Sequence, residues 1–123
     1  MEIRGLDHVN IRTADLARMV EWYGKVLGLV PGLRPAFSFG GAWLYCGNQP
    51  IVHLVEVAEK PRAIEPRIEH FALEGRGLRA FLDRLERLGV AYELGSPPGS
   101  GLTQVNIRDP DSNHIHVDFR ETA

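Results

Sequence analysis

Several patterns that define large classes of protein are missing from this sequence. Its 123 residues include one cysteine, Cys46, so an internal disulfide is excluded. No apolar run approaches the roughly 18 residues that a membrane-spanning helix needs. The first residues, MEIRGLDHVN, lack the basic and long apolar segments of a secretory signal peptide. We therefore expect a cytoplasmic protein that does not enter a membrane.

An excess of charge of either sign is missing as well. Lysine and arginine total 14 against 16 aspartate and glutamate residues, which leaves a formal net charge of −2. Proteins that bind nucleic acid usually carry a basic face, so we expect no nucleic-acid partner. With 44% hydrophobic residues, the chain has enough apolar material for one globular domain with a modest core.

The sequence contains one internal repeat. Residues 5–30, GLDHVNIRTADLARMVEWYGKVLGLV, align with residues 67–92, RIEHFALEGRGLRAFLDRLERLGVAY. Each segment reads apolar, acidic, histidine, apolar, and then shows a helical pattern that ends on Leu-Gly. A glycine just after the last periodic residue is the usual left-handed cap. We therefore predict that the two helices end at Gly28 and Gly89.

After each helix the hydrophobic pattern changes to a period of two, which predicts strands. Turn residues separate these strands, and a polar stretch, EKPRAIEP, separates the two halves. The predicted strands cover residues 36–46, 51–58, 91–95, 102–108 and 114–119. The pattern predicts an α+β fold in a single domain of residues 1–123. Its two similar modules span about 1–58 and about 67–123, with a linker at 59–66.

Four of the five histidines occupy duplicated positions in this repeat. The spacing from His8 to His53 matches the spacing from His70 to His116 within one residue. Imidazole is the commonest metal-binding side chain, and a divalent first-row ion needs several such donors. A single histidine in a strand is more often a surface or core residue, so both interpretations stand at this point.

Four stretches of the chain together resemble a known superfamily. They are LDHVNIRTADLARMVEWYGKVLGL, IVHLVEV, IEHFALEG and NIRDPDSNHIHVDF, and they follow the family's order and spacing over nearly the whole chain. The sequence is similar to the vicinal oxygen chelate superfamily. That superfamily includes glyoxalase I, bleomycin-resistance proteins, fosfomycin-resistance thiol transferases and extradiol dioxygenases.

The resemblance implies two βαβββ modules whose sheets curl into a cup that holds a divalent metal and a small ligand. Two chains commonly pair in short members, so it also implies a homodimer whose sites are shared between subunits. The positions that carry metal ligands in this superfamily are occupied here by His8, His53, His70 and His116. The implied ion is zinc, nickel or iron, because imidazole suits all three.

The chain departs from the family pattern at two of these positions. Many relatives have glutamate where this sequence has His116, and glyoxalase I has glutamate near the position of His53. In glyoxalase I such a carboxylate abstracts the proton next to a carbonyl. Four imidazoles would leave the ion its full charge, so a metal hydroxide or a neighbouring imidazole could act as the base instead.

Further residues are candidates because they share a strand face with polar neighbours or with a histidine. His114 and Asp118 share the face of His116. His114 is a candidate catalytic group, and Asp118 is a candidate for orienting a histidine ligand through its second nitrogen. For His114 an exposed position at the strand end is the favoured alternative, and Asp118 could equally be an exposed carboxylate. The candidate substrate-binding residues are Asn10, Gln104 and Asn106, for which a solvent-facing position is the alternative.

Two functions fit this set of residues. The first is a metal-dependent lyase, isomerase or oxygenase of glyoxalase type, acting on a small organic substrate chelated through its oxygens. The second is a non-catalytic protein of the bleomycin-resistance type that sequesters a small molecule. Four duplicated histidines favour the enzyme, because a sequestering protein has little need of convergent ligands. The loops at 31–41 and 95–101 carry no motif of their own, so the substrate stays open.

Overall fold

Both halves of the chain fold into the same order of elements. The computed structural model describes residues 1–62 and 64–121, and their contacts divide the chain into two units with the boundary after Arg62. That boundary falls inside the predicted linker. Unit 1 contains β1 (Val9–Thr13), α1 (Leu16–Leu27), β2 (Val30–Pro31), β3 (Gly41–Cys46) and β4 (Gln49–Glu56). Unit 2 contains β5 (Phe71–Glu74), α2 (Leu78–Leu88), β6 (Glu93–Gly95), β7 (Thr103–Arg108) and β8 (His114–Phe119).

The sheet topology repeats as well. The strand order is β1-β4-β3-β2 in unit 1 and β5-β8-β7-β6 in unit 2. In each sheet the first and last strands of the unit lie side by side in parallel, and the remaining pairs are antiparallel. Two four-stranded mixed sheets, each with one helix, confirm the predicted α+β fold of two βαβββ modules.

The helix ends follow the local chemistry of the sequence. Asp15 caps α1, because its carboxylate accepts a hydrogen bond from the Arg18 backbone N–H at 3.2 Å. Both helices end on a left-handed glycine, with φ of 72° at Gly28 and 69° at Gly89, as the repeat predicts. The Glu121 carboxylate caps α2, since it accepts hydrogen bonds from the backbone N–H groups of Gly77 and Leu78.

One face of each sheet packs on its helix, and this leaves the other face for polar side chains. In unit 2, β7 and β8 alternate strictly between buried and half-buried residues along most of their length. The apolar residues buried in the two units are Met19, Tyr23, Val26, Leu29, Leu44, Val52, Leu54, Leu78, Phe81, Leu82, Leu85, Val105, Ile107, Ile115, Val117 and Phe119. The histidines and their polar neighbours therefore lie on the face away from the helix.

One predicted strand starts later than the sequence pattern indicates. The interval 36–46 is a strand only from Gly41 onward, so the first part of that prediction is wrong. The loop before β3 satisfies its backbone locally, because Phe37 N–H donates to the Pro35 carbonyl at 2.8 Å and the Arg34 guanidinium donates to the Phe39 carbonyl at 2.9 Å. In the described part of the chain, no helix is long and apolar enough to cross a membrane.

Candidate metal centre

The two histidines of unit 1 lie face to face. His8 immediately precedes β1, His53 lies on β4, and their rings stack with centroids 3.8 Å apart and planes 10° apart. Trp43 on β3 stacks on His53 as well, at 4.1 Å and 14°. The parallel pairing of β1 with β4 and the antiparallel pairing of β3 with β4 bring these three rings together on one face.

Unit 2 repeats this pair and adds a third ring. His70 precedes β5 and stacks on His116 of β8, with centroids 3.9 Å apart and planes 14° apart. His114 lies beside both, at 5.3 Å from His70 and 4.8 Å from His116. One ring nitrogen from each of the three histidines lies within 4.8 Å of the others, so together they form a group that could hold a metal ion.

The turn before β8 fixes the position of His114 and His116 at the start of that strand. The Asp109 carboxylate, which is buried, accepts hydrogen bonds from the backbone N–H groups of Asp111 and Asn113, both at 2.9 Å, and from the Asn113 side chain. Ser112 takes a left-handed φ of 67° in the same turn. The DPDSN segment is therefore a rigid turn, and β8 begins at His114 directly after it.

A carboxylate joins two of the unit 2 histidines. Glu69 accepts a hydrogen bond from Nδ1 of His70 through one oxygen and from Nδ1 of His114, at 2.9 Å, through the other. These two hydrogen bonds lower the pKa of Glu69 to about 2, although the side chain is exposed. In unit 1, Asp7 contacts Nδ1 of His8 in the same way, at 2.6 Å. Sequence reasoning did not single out these acidic residues, although an acidic residue precedes the histidine in both repeats.

The remaining ring nitrogens have defined partners too. Nε2 of His114 donates to Oδ1 of Asn106 at 2.9 Å, and the amide of Asn106 is oriented by its own hydrogen bond to the Glu93 carbonyl. Nε2 of His53 donates to the Pro50 carbonyl at 3.0 Å. A nitrogen that donates a hydrogen bond cannot bind a metal, so His53 offers Nδ1 and His70 offers Nε2. Both nitrogens of His114 donate hydrogen bonds, so that ring could bind a metal only by giving up its hydrogen bond to Asn106.

Burial favours the metal-binding form of the two strand histidines. Desolvation lowers the pKa of His53, and the neighbouring His8 lowers it further. The pKa of His116 is lowered by burial first, and then by His70 and His114. Since a neutral imidazole is the form that binds a metal, both rings are poised as ligands at neutral pH. The donor set of imidazole nitrogens suits zinc, nickel or iron.

Asp118 and Gln104 lie next to this group. Oδ1 of Asp118 is 4.0 Å from Nδ1 of His116, is buried, and has no hydrogen-bond partner among residues 1–62 and 64–121. Gln104 pairs with Asp118 across β7 and β8, and Asn106 pairs with His116. In unit 1, Asn10 pairs with His53 across β1 and β4. Each candidate residue is thus placed beside the histidines of its own unit.

Two βαβββ units of the same topology define the fold class of this protein. A family model for the Glyoxalase/Bleomycin resistance protein/Dioxygenase superfamily matches residues 5–117. The chain therefore belongs to this superfamily, and the resemblance drawn from the sequence motifs is confirmed.

Individual relatives agree with this assignment. A protein named Glyoxylase I 4 from Arabidopsis thaliana is 29% identical over 125 residues, which cover 95% of this chain and 71% of that protein. An integron cassette protein from the mobile metagenome of V. cholerae is 28% identical with a TM-score of 0.73, over 98% of both chains. A putative glyoxalase family protein from Bacillus anthracis shares the fold with a TM-score of 0.81 and 22% identity, also over 98% of both chains.

Proposed function

We propose that this protein is a metal-dependent enzyme of the glyoxalase type that acts on a small organic molecule. His8, His53, His70 and His116 would hold a divalent ion, which would offer the substrate oxygens a Lewis acid. The observation that carries the proposal is the stacked histidine pair, which recurs in both units with almost the same geometry.

The ion, when bound, supplies a Lewis acid that stabilises negative charge developing on a substrate oxygen. The chain's own residues orient the ligands and move protons. Glu69 holds a proton on Nδ1 of His114, so Nε2 of His114 is the atom that takes up or releases a proton during the reaction. Asp118 lies 4.0 Å from Nδ1 of His116 and would orient that ring by accepting a hydrogen bond from it. Asn10, Gln104 and Asn106 offer amide groups to the substrate.

We further propose that the protein acts as a homodimer, with each site drawing two histidines from each subunit. The proposal draws on the pairing of chains that the resemblance implies, and it is supported by the division of the four histidines into one pair per unit. It predicts that a single chain does not complete a site by itself.

Metal content is the direct test of the proposed function. Wild-type protein without an affinity tag, reconstituted separately with zinc, nickel and iron(II), is expected to retain one of these ions near one equivalent per chain. His8→Ala and His116→Ala are each expected to weaken binding at least about 10-fold, since the loss of a ligand exceeds the loss of an outer-shell contact. Elemental analysis after exhaustive dialysis measures both effects.

Cys46→Ser is the matched control, because Cys46 is an exposed free thiol that could bind metal adventitiously. It is expected to keep the full metal content. Wild-type protein that binds none of the three ions would contradict the enzyme mechanism and favour a protein that sequesters a small molecule.

A further inference from the structure

Unit 1 contains a half-open cleft that the histidines do not occupy. Its volume is about 320 Å³, and its described lining consists of Asn10, Arg12, Phe39 and Val55. This volume falls within the range of small-molecule sites, about 300–1,000 Å³. Asn10 pairs with His53 and Arg12 pairs with Val55, two positions further along the same strands. The cleft therefore begins beside the His8–His53 pair and extends along the same face of the sheet.

The cleft carries positive charge. Arg12 is exposed, and its guanidinium forms no ion pair or hydrogen bond with any residue that the structure describes. Arg34 adds a second guanidinium on the same face of the sheet. Gly41 pairs with Val55, which lines the cleft, and a Cβ placed on Gly41 would lie 2.9 Å from Nη2 of Arg34. No acidic side chain is among the described lining residues. Glu56 follows Val55 on β4, so its side chain points to the opposite face of the sheet from the cleft, where it packs against Gly40.

The two arginines are not equivalent. Arg34 donates to the Phe39 carbonyl, and its guanidinium lies over the rings of Phe37 and Phe39, at 4.9 Å and 5.3 Å from their centroids. Its position is therefore set by the protein. Arg12 has its five donors free, and a guanidinium with free donors matches a carboxylate in a two-point hydrogen bond.

The other wall of the cleft is apolar and flat. The rings of Phe37 and Phe39 stack at 4.9 Å, and Phe39 remains 46% exposed although it lies against the cleft. An aromatic ring held half-exposed by a cation and a second ring offers a preformed surface for a planar ligand. Val55 forms the floor between Phe39 and Arg12.

We infer that this cleft binds the substrate as a small organic carboxylate with a flat apolar body. The carboxylate pairs with Arg12, the flat body lies on Phe39 and Val55, and the oxygens at the other end face the histidine pair. Arg12 lies two residues beyond the position that pairs with His53, which is about 7 Å along a strand, roughly the length of one ring. The inference deepens the proposed function and rests on it for the role of the bound molecule.

The test compares 2-naphthoate with its neutral isostere 2-naphthamide, using metal-stripped protein so that the histidines contribute no ion. Titration calorimetry or NMR shift mapping is expected to show a preference for the carboxylate of about 10-fold or more, as hydrogen bonds to a charged group provide. Arg12→Gln is expected to abolish this preference. Arg18→Gln, an exposed arginine on α1 of the same unit, is the matched control and is expected to keep it.

Phe39→Ala locates the apolar wall independently of charge. It is expected to weaken naphthoate and naphthamide alike, by about fivefold, because each loses the same ring contact. Equal binding of the two compounds to wild-type protein would overturn the inference. So would a preference that survives Arg12→Gln, or an absence of binding by both compounds up to about 5 mM.

The same measurements separate this inference from the proposed function. A carboxylate preference that depends on Arg12, in a protein that fails to bind any of the three metals, would support the cleft while contradicting the metal mechanism. Normal metal binding without a carboxylate preference would overturn the cleft and leave the metal centre standing.

Discussion

Glu69 is the residue whose role depends most on structure. Its two carboxylate oxygens contact the Nδ1 atoms of two different histidines, so it fixes which nitrogen of each ring carries a proton. Asp7 has the equivalent position in unit 1 but contacts one histidine, His8. The difference arises because unit 2 has His114 two positions before His116, whereas unit 1 has Ile51 two positions before His53. A single extra imidazole thus converts a simple contact into a bridge.

The bridge predicts an unusual titration in metal-free protein. The side-chain carboxyl of Glu69 is expected to titrate near 2, where an ordinary glutamate has a pKa of 4.5. Because the folded-state pKa is lowered, the stabilisation from this group is present above pH 4.5 and is lost as the pH falls towards 2. Carbon-detected NMR of the carboxyl resonances measures the titration.

Removing either imidazole checks the cause of this shift. In His70→Ala and in His114→Ala, the pKa of Glu69 is expected to rise, and the loss of His70 is expected to raise it more, since its hydrogen bond is the larger cause. Glu74 is the internal reference, because it is an exposed carboxyl in the same unit. A Glu69 titration that does not respond to either substitution would contradict the bridge.

At the scale of elements, periodicity and glycine placement predict most of the fold. The helical faces, the capping glycines and the last strand of each unit follow from local sequence, because each depends on residues near it in the chain. The two-residue strand β2, which pairs with β3, was not predicted, because two residues are too few to show an alternating pattern. The loop before β3 was misread as strand because Phe37 and Phe39 alternate like strand residues.

The candidate site shows the same division. The four histidines could be named as candidate ligands from the sequence, since the repeat that duplicates their positions is visible there. The Arg12 cleft could not be predicted, because it depends on Arg34 folding over Phe39 and on strand register between β1, β4 and β3. Such contacts join segments that are distant in the chain, and no local sequence pattern predicts them.

Two glycines in and after α1 make a matched prediction about helix stability. Gly28→Ala is expected to lower the free energy of unfolding by about 1 kcal/mol, because φ there is 72°. Gly24→Ala is expected to raise it by about 0.5–1 kcal/mol, because alanine is a better helix former. A Cβ at Gly24 would meet nothing closer than the Leu29 carbonyl, at 3.7 Å.

Chemical denaturation of the two variants beside wild type measures both changes. Opposite signs are the expected result. Two variants that change the midpoint in the same direction would show that the left-handed cap does not control the end of α1.

At the scale of the whole molecule, the division of the histidines makes the proposed homodimer testable. His8 and His53 belong to one unit, and His70 and His116 belong to the other. Suppose that each site of a homodimer combines the unit 1 pair of one chain with the unit 2 pair of the other chain. One chain can then carry a substitution in its unit 1 pair while its partner carries a substitution in its unit 2 pair.

Mixing two defective chains tests this arrangement. His8→Ala and His116→Ala proteins, unfolded together and refolded as a heterodimer with two different tags, are expected to form one intact site and one doubly defective site. The purified heterodimer is therefore expected to recover about half of the wild-type metal content per chain, while each parent homodimer binds far less. Metal content in the heterodimer no higher than in the parents would contradict sites shared in this way.

The cap on α2 links the end of unit 2 to its middle. Glu121 accepts hydrogen bonds from Gly77 and Leu78, which precede it in the chain by 44 and 43 positions. A truncation that removes Glu121 would leave the backbone N–H groups of Gly77 and Leu78 without this acceptor, so the first turn of α2 would fray. A fusion partner joined immediately after Arg120 would have the same effect, and a linker that keeps Glu121 would avoid it.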